Sequence, residues 1–124
     1  LHSLLGIHSH HALLGHPVAG HSFERFAMVQ VMEYLPGACQ CYFYRTQDGT
    51  ECDLVIVKDM RVKACIEIKL GANPKITRSL TQVMKDLRPE HTYIITPLEK
   101  GYSASETVSV IGIGEISRIA ESLR

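Results

Sequence analysis

No stretch of this chain stays apolar for the ~18 residues that a membrane span requires, and no charged, apolar and small-residue succession marks a signal peptide. Those absences predict a soluble cytoplasmic domain that makes no membrane contact. No G-x-x-x-x-G-K phosphate loop is present, so ATP hydrolysis has no P-loop here. Internal repeats, low-complexity tracts and linkers are missing too. Tryptophan is absent and aromatics make up 6% of the residues, leaving no evident aromatic stacking platform for nucleic acid. Net charge is also missing, because 13 Lys and Arg balance 13 Asp and Glu, which argues against strong independent nucleic-acid binding.

What is present suits a single domain over residues 1–124. At 45% hydrophobic content, 124 residues can build a core that folds without staples. The chain begins at Leu1 and enters abruptly with "LHSLLGIHSHHALLG", so a fragment of a longer protein is expected. Six of the seven histidines, His2, His8, His10, His11, His16 and His21, crowd an irregular lead-in over residues 1–20 and its edge. Cys39 and Cys41 have no second pair at zinc-finger spacing. Cys52 and Cys65 alternate as apolar residues would and read as reduced core thiols.

Periodicity orders the rest of the chain as α-β-β-β-α-β-β-α, an α/β class with a mixed central sheet flanked by helices. "SFERFAMVQVMEYL" (22–35) is helical, with Phe23, Ala27, Met28, Val31, Met32, Tyr34 and Leu35 on one apolar arc until Pro36-Gly37 stops it. Glu24 falls inside that arc, either as an acid aimed at the core or as a first-turn acid complementing the helix dipole. Strands are predicted at 41–46 and 51–57 around Gln47-Asp48-Gly49, then from Arg61 to Leu70 after "KDMR". An amphipathic helix follows from roughly Thr77 to Leu87, then the strand "HTYIITP", the surface loop "LEKGYSASE", the strand "TVSVIGI" and the helix "GEISRIAESL". Residues 58–88 hold eight basic residues against three acidic ones, a balance that permits a phosphate-facing surface and equally describes a solvated face.

"ECDLVIVKDMRVKACIEIKL" (51–70) sets Glu51, Asp53, Glu67 and Lys69 into two apolar strands. Alternation places Cys52, Leu54 and Ile56 on one face and Glu51, Asp53, Val55 and Val57 on the other. A three-residue hairpin loop would set Asp53 opposite Glu67, where two carboxylates repel unless a cation lies between them. Hard Mg²⁺ or Mn²⁺ suits such oxygen donors, with the Ile68 backbone carbonyl as a third ligand and Glu24 as a further one. The metal would neutralise a scissile phosphate and acidify a bound water. Lys69, one alternation step beyond Glu67, could orient that water or stabilise developing charge. Glu51 is a reserve acid. The plain alternative is that Glu67 and Lys69 form an ordinary ion pair on an exposed sheet face.

Asp53, then Glu67-x-Lys69 on the following strand, after a helix with Glu24 and before an amphipathic helix, resembles the PD-(D/E)XK nuclease superfamily. That resemblance implies the restriction-endonuclease-like fold. More narrowly, "LLGHPVAGHSFERF", "RTQDGTECDLV" and "CIEIKLG" resemble the C-terminal domain of unknown function behind the ATPase module of many prokaryotic AAA+ ATPases. It implies Asp53 and Glu67 as metal ligands, Lys69 as the catalytic lysine and Glu24 as the helix-borne acid, acting on DNA or RNA beside an ATPase in cis. Cys52 stands where the superfamily motif has proline. A nuclease-fold module that binds partners or regulates the ATPase without catalysis is the alternative that the same resemblance allows.

Overall fold

A computed structural model describes residues 12–15, 22–71 and 74–124, and the six N-terminal histidines lie outside that range. Strands β1 (Ala12–Gly15), β2 (Gln40–Thr46), β3 (Glu51–Lys58), β4 (Arg61–Ile68), β5 (His91–Thr96), β6 (Tyr102–Ser103) and β7 (Val108–Gly112) form one mixed sheet. Its order is β1-β2-β3-β4-β5-β7-β6. Strands β1 to β4 run antiparallel to their neighbours, whereas β4, β5 and β7 are parallel. Helix α1 (Ser22–Tyr34) precedes β2, α2 (Arg78–Leu87) connects β4 to β5, and α3 (Ser117–Ser122) closes the chain after a 3-10 turn at Ile113–Glu115. The α/β class with a mixed sheet flanked by helices is thus observed. Two elements go beyond the expected order: four residues of the lead-in form the edge strand β1, and the loop after β5 contains β6.

Alternating apolar positions put a core on each face of the sheet. Leu54, Ile56, Ala64, Ile66 and Ile68 pack on one side with Ala27, Met28 and Val31 of α1 and with Ile119 of α3. Val55, Val57, Val62 and Cys65 pack on the other with Val83 and Leu87 of α2. The α2 stripe is held at both ends. Thr77 Oγ1 accepts from the Leu80 N–H at 3.0 Å, and Arg88, in the left-handed region at φ 49°, donates its N–H to the Met84 carbonyl. The buried stripe of α1 is narrower than its apolar arc. Met32 and Tyr34, predicted inside, are exposed, whereas Ala27, Met28 and Val31 at i, i+1 and i+4 meet the sheet, with Phe23 and Leu35 partly buried beside them.

Two β-bulges revise the expected register, and both bear on the acids. The β3–β4 turn has two residues rather than three. Asp59 and Met60 both have positive φ, at 54° and 62°, as a two-residue hairpin turn matching the strand twist requires. The missing residue reappears as a bulge: Ile56 pairs with Ala64 but Val57 pairs with Val62, leaving Lys63 extra in β4. Leu54 therefore still faces Ile66, the last pair of the ladder, one step before Asp53 and Glu67. The second bulge lies at the site itself. Tyr42 pairs with Val55 and Tyr44 with Cys52, so three steps of β3 match two of β2. The alternation resets there. Cys52 joins Val55 and Val57 on the α2 side, not Leu54 and Ile56 as the unbroken period predicts.

Candidate active site

The bulge at Asp53 and Leu54 turns the start of β3 away from β4, and the Asp53 side chain fills the gap in the ladder. Its Oδ2 accepts the Ile68 N–H at 2.8 Å, a bond that a continuing strand would otherwise supply. In an extended strand the N–H and C=O of one residue point to the same neighbour, so the Ile68 carbonyl is directed to this edge as well. Asp53 is largely buried, and burial raises its pKa above the ordinary value. The Ile68 hydrogen bond and Lys69 oppose that rise, while the charges of Glu24 and Glu51 add to it. Two acids thus act on Asp53.

Glu67 lies next along the edge at 9% exposure. Its Oε1 meets Lys69 Nζ at 3.3 Å, and its Oε2 is buried without any hydrogen-bond partner. Burial raises its pKa; Lys69 lowers it, and Asp53 raises it further. A buried carboxylate oxygen left unpaired costs on the order of 1–3 kcal/mol, more than one half-exposed lysine returns. That cost disfavours the reading of Glu67 and Lys69 as an exposed surface pair. It fits an acid that waits for a cation.

The remaining acids are placed less centrally. Glu24 lies half-buried in the first turn of α1, one turn before Ala27 and Met28, close enough for its charge to act on Asp53. Glu51 is exposed and engaged by Arg45, its cross-strand partner, at 3.2 Å. Among the described residues, no three His, Cys, Asp or Glu converge as a ready-made metal cage. Asp53 and Glu67 form the central pair, Lys69 joins it, and Glu24 and Glu51 border it. A divalent ion bound by two carboxylates and a carbonyl would keep several of its waters, a set of donors suited to Mg²⁺.

A cleft of about 260 Å³ opens beside Asp53, lined by Met28, Phe43, Arg45, Glu51 and Cys52 among others. The Arg45 guanidinium lies 5.8 Å from the Phe43 ring centre. Sequence reasoning did not single out Arg45, which the turn at Gln47, Asp48 and Gly49 sets across from Glu51. All four cysteines are free thiols, Cys52 and Cys65 buried as expected. Cys41, half-buried against the α1-side core, has its thiol pushed by burial up to about 12. Among the described residues, no helix is long and apolar enough to cross a membrane.

Residues 19–116 match a family described as Domain of unknown function (DUF4143). An uncharacterized protein of Mycobacterium bovis is 34% identical over 116 residues, covering 94% of this chain and 26% of the relative. An uncharacterized protein of Mycobacterium tuberculosis gives the same figures. The chain therefore spans about a quarter of the length of these curated relatives. No solved structure matches.

Proposed function

We propose that this chain, which belongs to the DUF4143 family, is a nuclease-like domain of the PD-(D/E)XK kind that hydrolyses phosphodiesters of DNA or RNA with Mg²⁺ or Mn²⁺. The observation that carries the reading is the unpaired, buried Glu67 Oε2 beside an Asp53 whose own environment is acidic. Asp53, Glu67 and the Ile68 carbonyl would hold the ion, with Glu24 as a further ligand. When bound, such an ion neutralises the scissile phosphate and acidifies a water.

The chain's own groups supply the rest. Asp53 is oriented by the Ile68 N–H, so its second oxygen has a fixed direction. Lys69 is anchored through its backbone N–H to the Ile95 carbonyl at 2.9 Å, while its ammonium is half-exposed and can reach a phosphate oxygen. There it would balance charge as the bond to the leaving oxygen breaks. Arg45, at the rim of the adjoining cleft, adds a second cation on the approach path. The site lies at the carboxyl ends of parallel strands β4 and β5, the edge where open α/β sheets bind ligands.

Incubation of single- and double-stranded DNA and RNA with the domain and Mg²⁺ or Mn²⁺ tests this reading. Cleavage is expected with metal, is lost with chelator and falls at least 100-fold in Lys69→Ala. Cleavage indifferent to Lys69→Ala would sink the mechanism. One observation favours a second reading, a non-catalytic module that regulates an AAA+ ATPase in the same polypeptide: no third acid joins the central pair as a ready ligand among the described residues. Under that reading no divalent ion binds, and Asp53→Ala leaves partner binding unchanged.

A further inference from the structure

Two buried side-chain atoms among the described residues lack a hydrogen-bond partner, Glu67 Oε2 and Thr96 Oγ1. They belong to neighbouring strands. Glu67 pairs with Ile94 and Ile68 with Ile95 in the parallel β4–β5 ladder. The Lys69 N–H continues that ladder to the Ile95 carbonyl, which puts Thr96 beside Lys69. Residues two apart share a face, so Glu67, Lys69 and Thr96 stand together on one side of the sheet, at its carboxyl edge. Thr96 is wholly buried, at 0% exposure, and ends the strand before Pro97.

A buried hydroxyl without a partner loses its hydration uncompensated, and a buried carboxylate oxygen loses more. Two such losses at one edge, on adjacent strands and one face, have a simpler common cause than two separate ones. The two oxygens are not bonded to each other, and a diagonal of roughly 7–8 Å between backbones leaves room for one water between them. We propose that Thr96 is a positioning residue for Glu67, its hydroxyl holding through an internal water the carboxylate oxygen that Lys69 leaves unpaired. The hydroxyl fixes where that oxygen points, as outer groups commonly do around metal ligands. The role assigned to Glu67 rests on the metal-centre reading; the link between Thr96 and Glu67 does not.

The test uses Thr96→Val, which keeps shape and removes the hydroxyl, and Thr96→Ser, which restores it. Thr92→Val, at another buried threonine of β5, is the control. In chelator, the melting temperatures of wild type, Thr96→Val, Glu67→Gln and the double variant form a cycle. A non-additive cycle, together with a Thr96→Ser melting curve like wild type, supports the link; an additive one overturns it. If Thr96→Val does not fold, Thr96→Ala completes the same cycle. In a second arm, Mn²⁺ titration by calorimetry is expected to show 10- to 100-fold weaker binding in Thr96→Val, with Thr96→Ser and Thr92→Val close to wild type. Mn²⁺ affinity unchanged in Thr96→Val overturns the positioning role. No Mn²⁺ binding by wild type, beside a non-additive cycle, would instead remove the metal reading and leave the Thr96–Glu67 link standing.

Discussion

Replacing Glu67 with Gln separates a metal ligand from a structural ion pair. The carboxylate is 9% exposed, has one oxygen on a half-exposed lysine and the other unpaired, and feels the charge of Asp53. Without metal, the substitution removes a buried charge and its repulsion from Asp53. It also removes an ion pair worth roughly 0–1 kcal/mol. These effects oppose each other, so the metal-free stability should stay within about 1 kcal/mol of wild type. With metal the expectation diverges. An ion at ten times its Kd stabilises the wild type by about 1.4 kcal/mol. An unfolding entropy of about 2.1 cal/mol/K per residue gives roughly 0.26 kcal/mol/K for 124 residues, so the wild-type melting temperature should rise by about 5 °C. Glu67→Gln should show a rise of less than about 1 °C at the same concentration. Thermal denaturation followed by circular dichroism, in chelator and across a Mg²⁺ or Mn²⁺ series, reads both quantities. Equal metal-induced shifts in the two proteins would refute the ligand assignment. So would a loss of several kcal/mol from Glu67→Gln in chelator, which would mark a structural ion pair instead.

Asp53→Ala leaves the Ile68 N–H without its acceptor and should cost on the order of 1–3 kcal/mol in urea unfolding, whereas Asp53→Asn keeps an acceptor and should cost less. Equal costs would show that this hydrogen bond does not hold the strand edge. Gly112→Ala would bring a Cβ to 2.5 Å from the Leu98 and Glu99 carbonyl oxygens, so a loss of about 1–3 kcal/mol is expected, and a neutral variant would contradict that packing. His91 bonds Ser109 at 2.9 Å, and burial lowers its pKa below the ordinary 6.5. The unfolded chain therefore binds more protons as pH falls from 6.5 through the folded value, and stability drops over that window. His91→Gln should abolish this part of the acid loss between pH 7.5 and 5, as measured by denaturant unfolding. An unchanged slope would contradict it.

Periodic signals that dictate an element through burial alone are legible in the amino-acid sequence, as the amphipathic stripe of α2, the apolar run of β5 and the alternation of β4 each show. The site is legible in part. Asp53, Glu67 and Lys69 stand out as charges within apolar strands, and the β3–β4 ladder ends at Leu54 and Ile66, one step short of the two acids. The three-residue loop behind that expectation is absent, and a tight turn plus a bulge at Lys63 gives the same register. Bulges leave little local trace, because an extra residue disturbs one ladder step while the flanking alternation continues. For that reason unbroken alternation assigns Cys52 to the wrong side. Thr96 is hidden on other grounds. A threonine closing an apolar strand has the ordinary composition of a buried edge, and only its unpaired hydroxyl sets it apart.

Diffraction from crystals soaked in Mn²⁺, with data collected for anomalous scattering, tests the central claim most directly. The account predicts one ion within coordinating distance of both the Asp53 and the Glu67 carboxylates, with the Ile68 carbonyl beside it, and none in Glu67→Gln. An ion bound away from these residues, or none in the wild type at a concentration that stabilises it, would contradict the account.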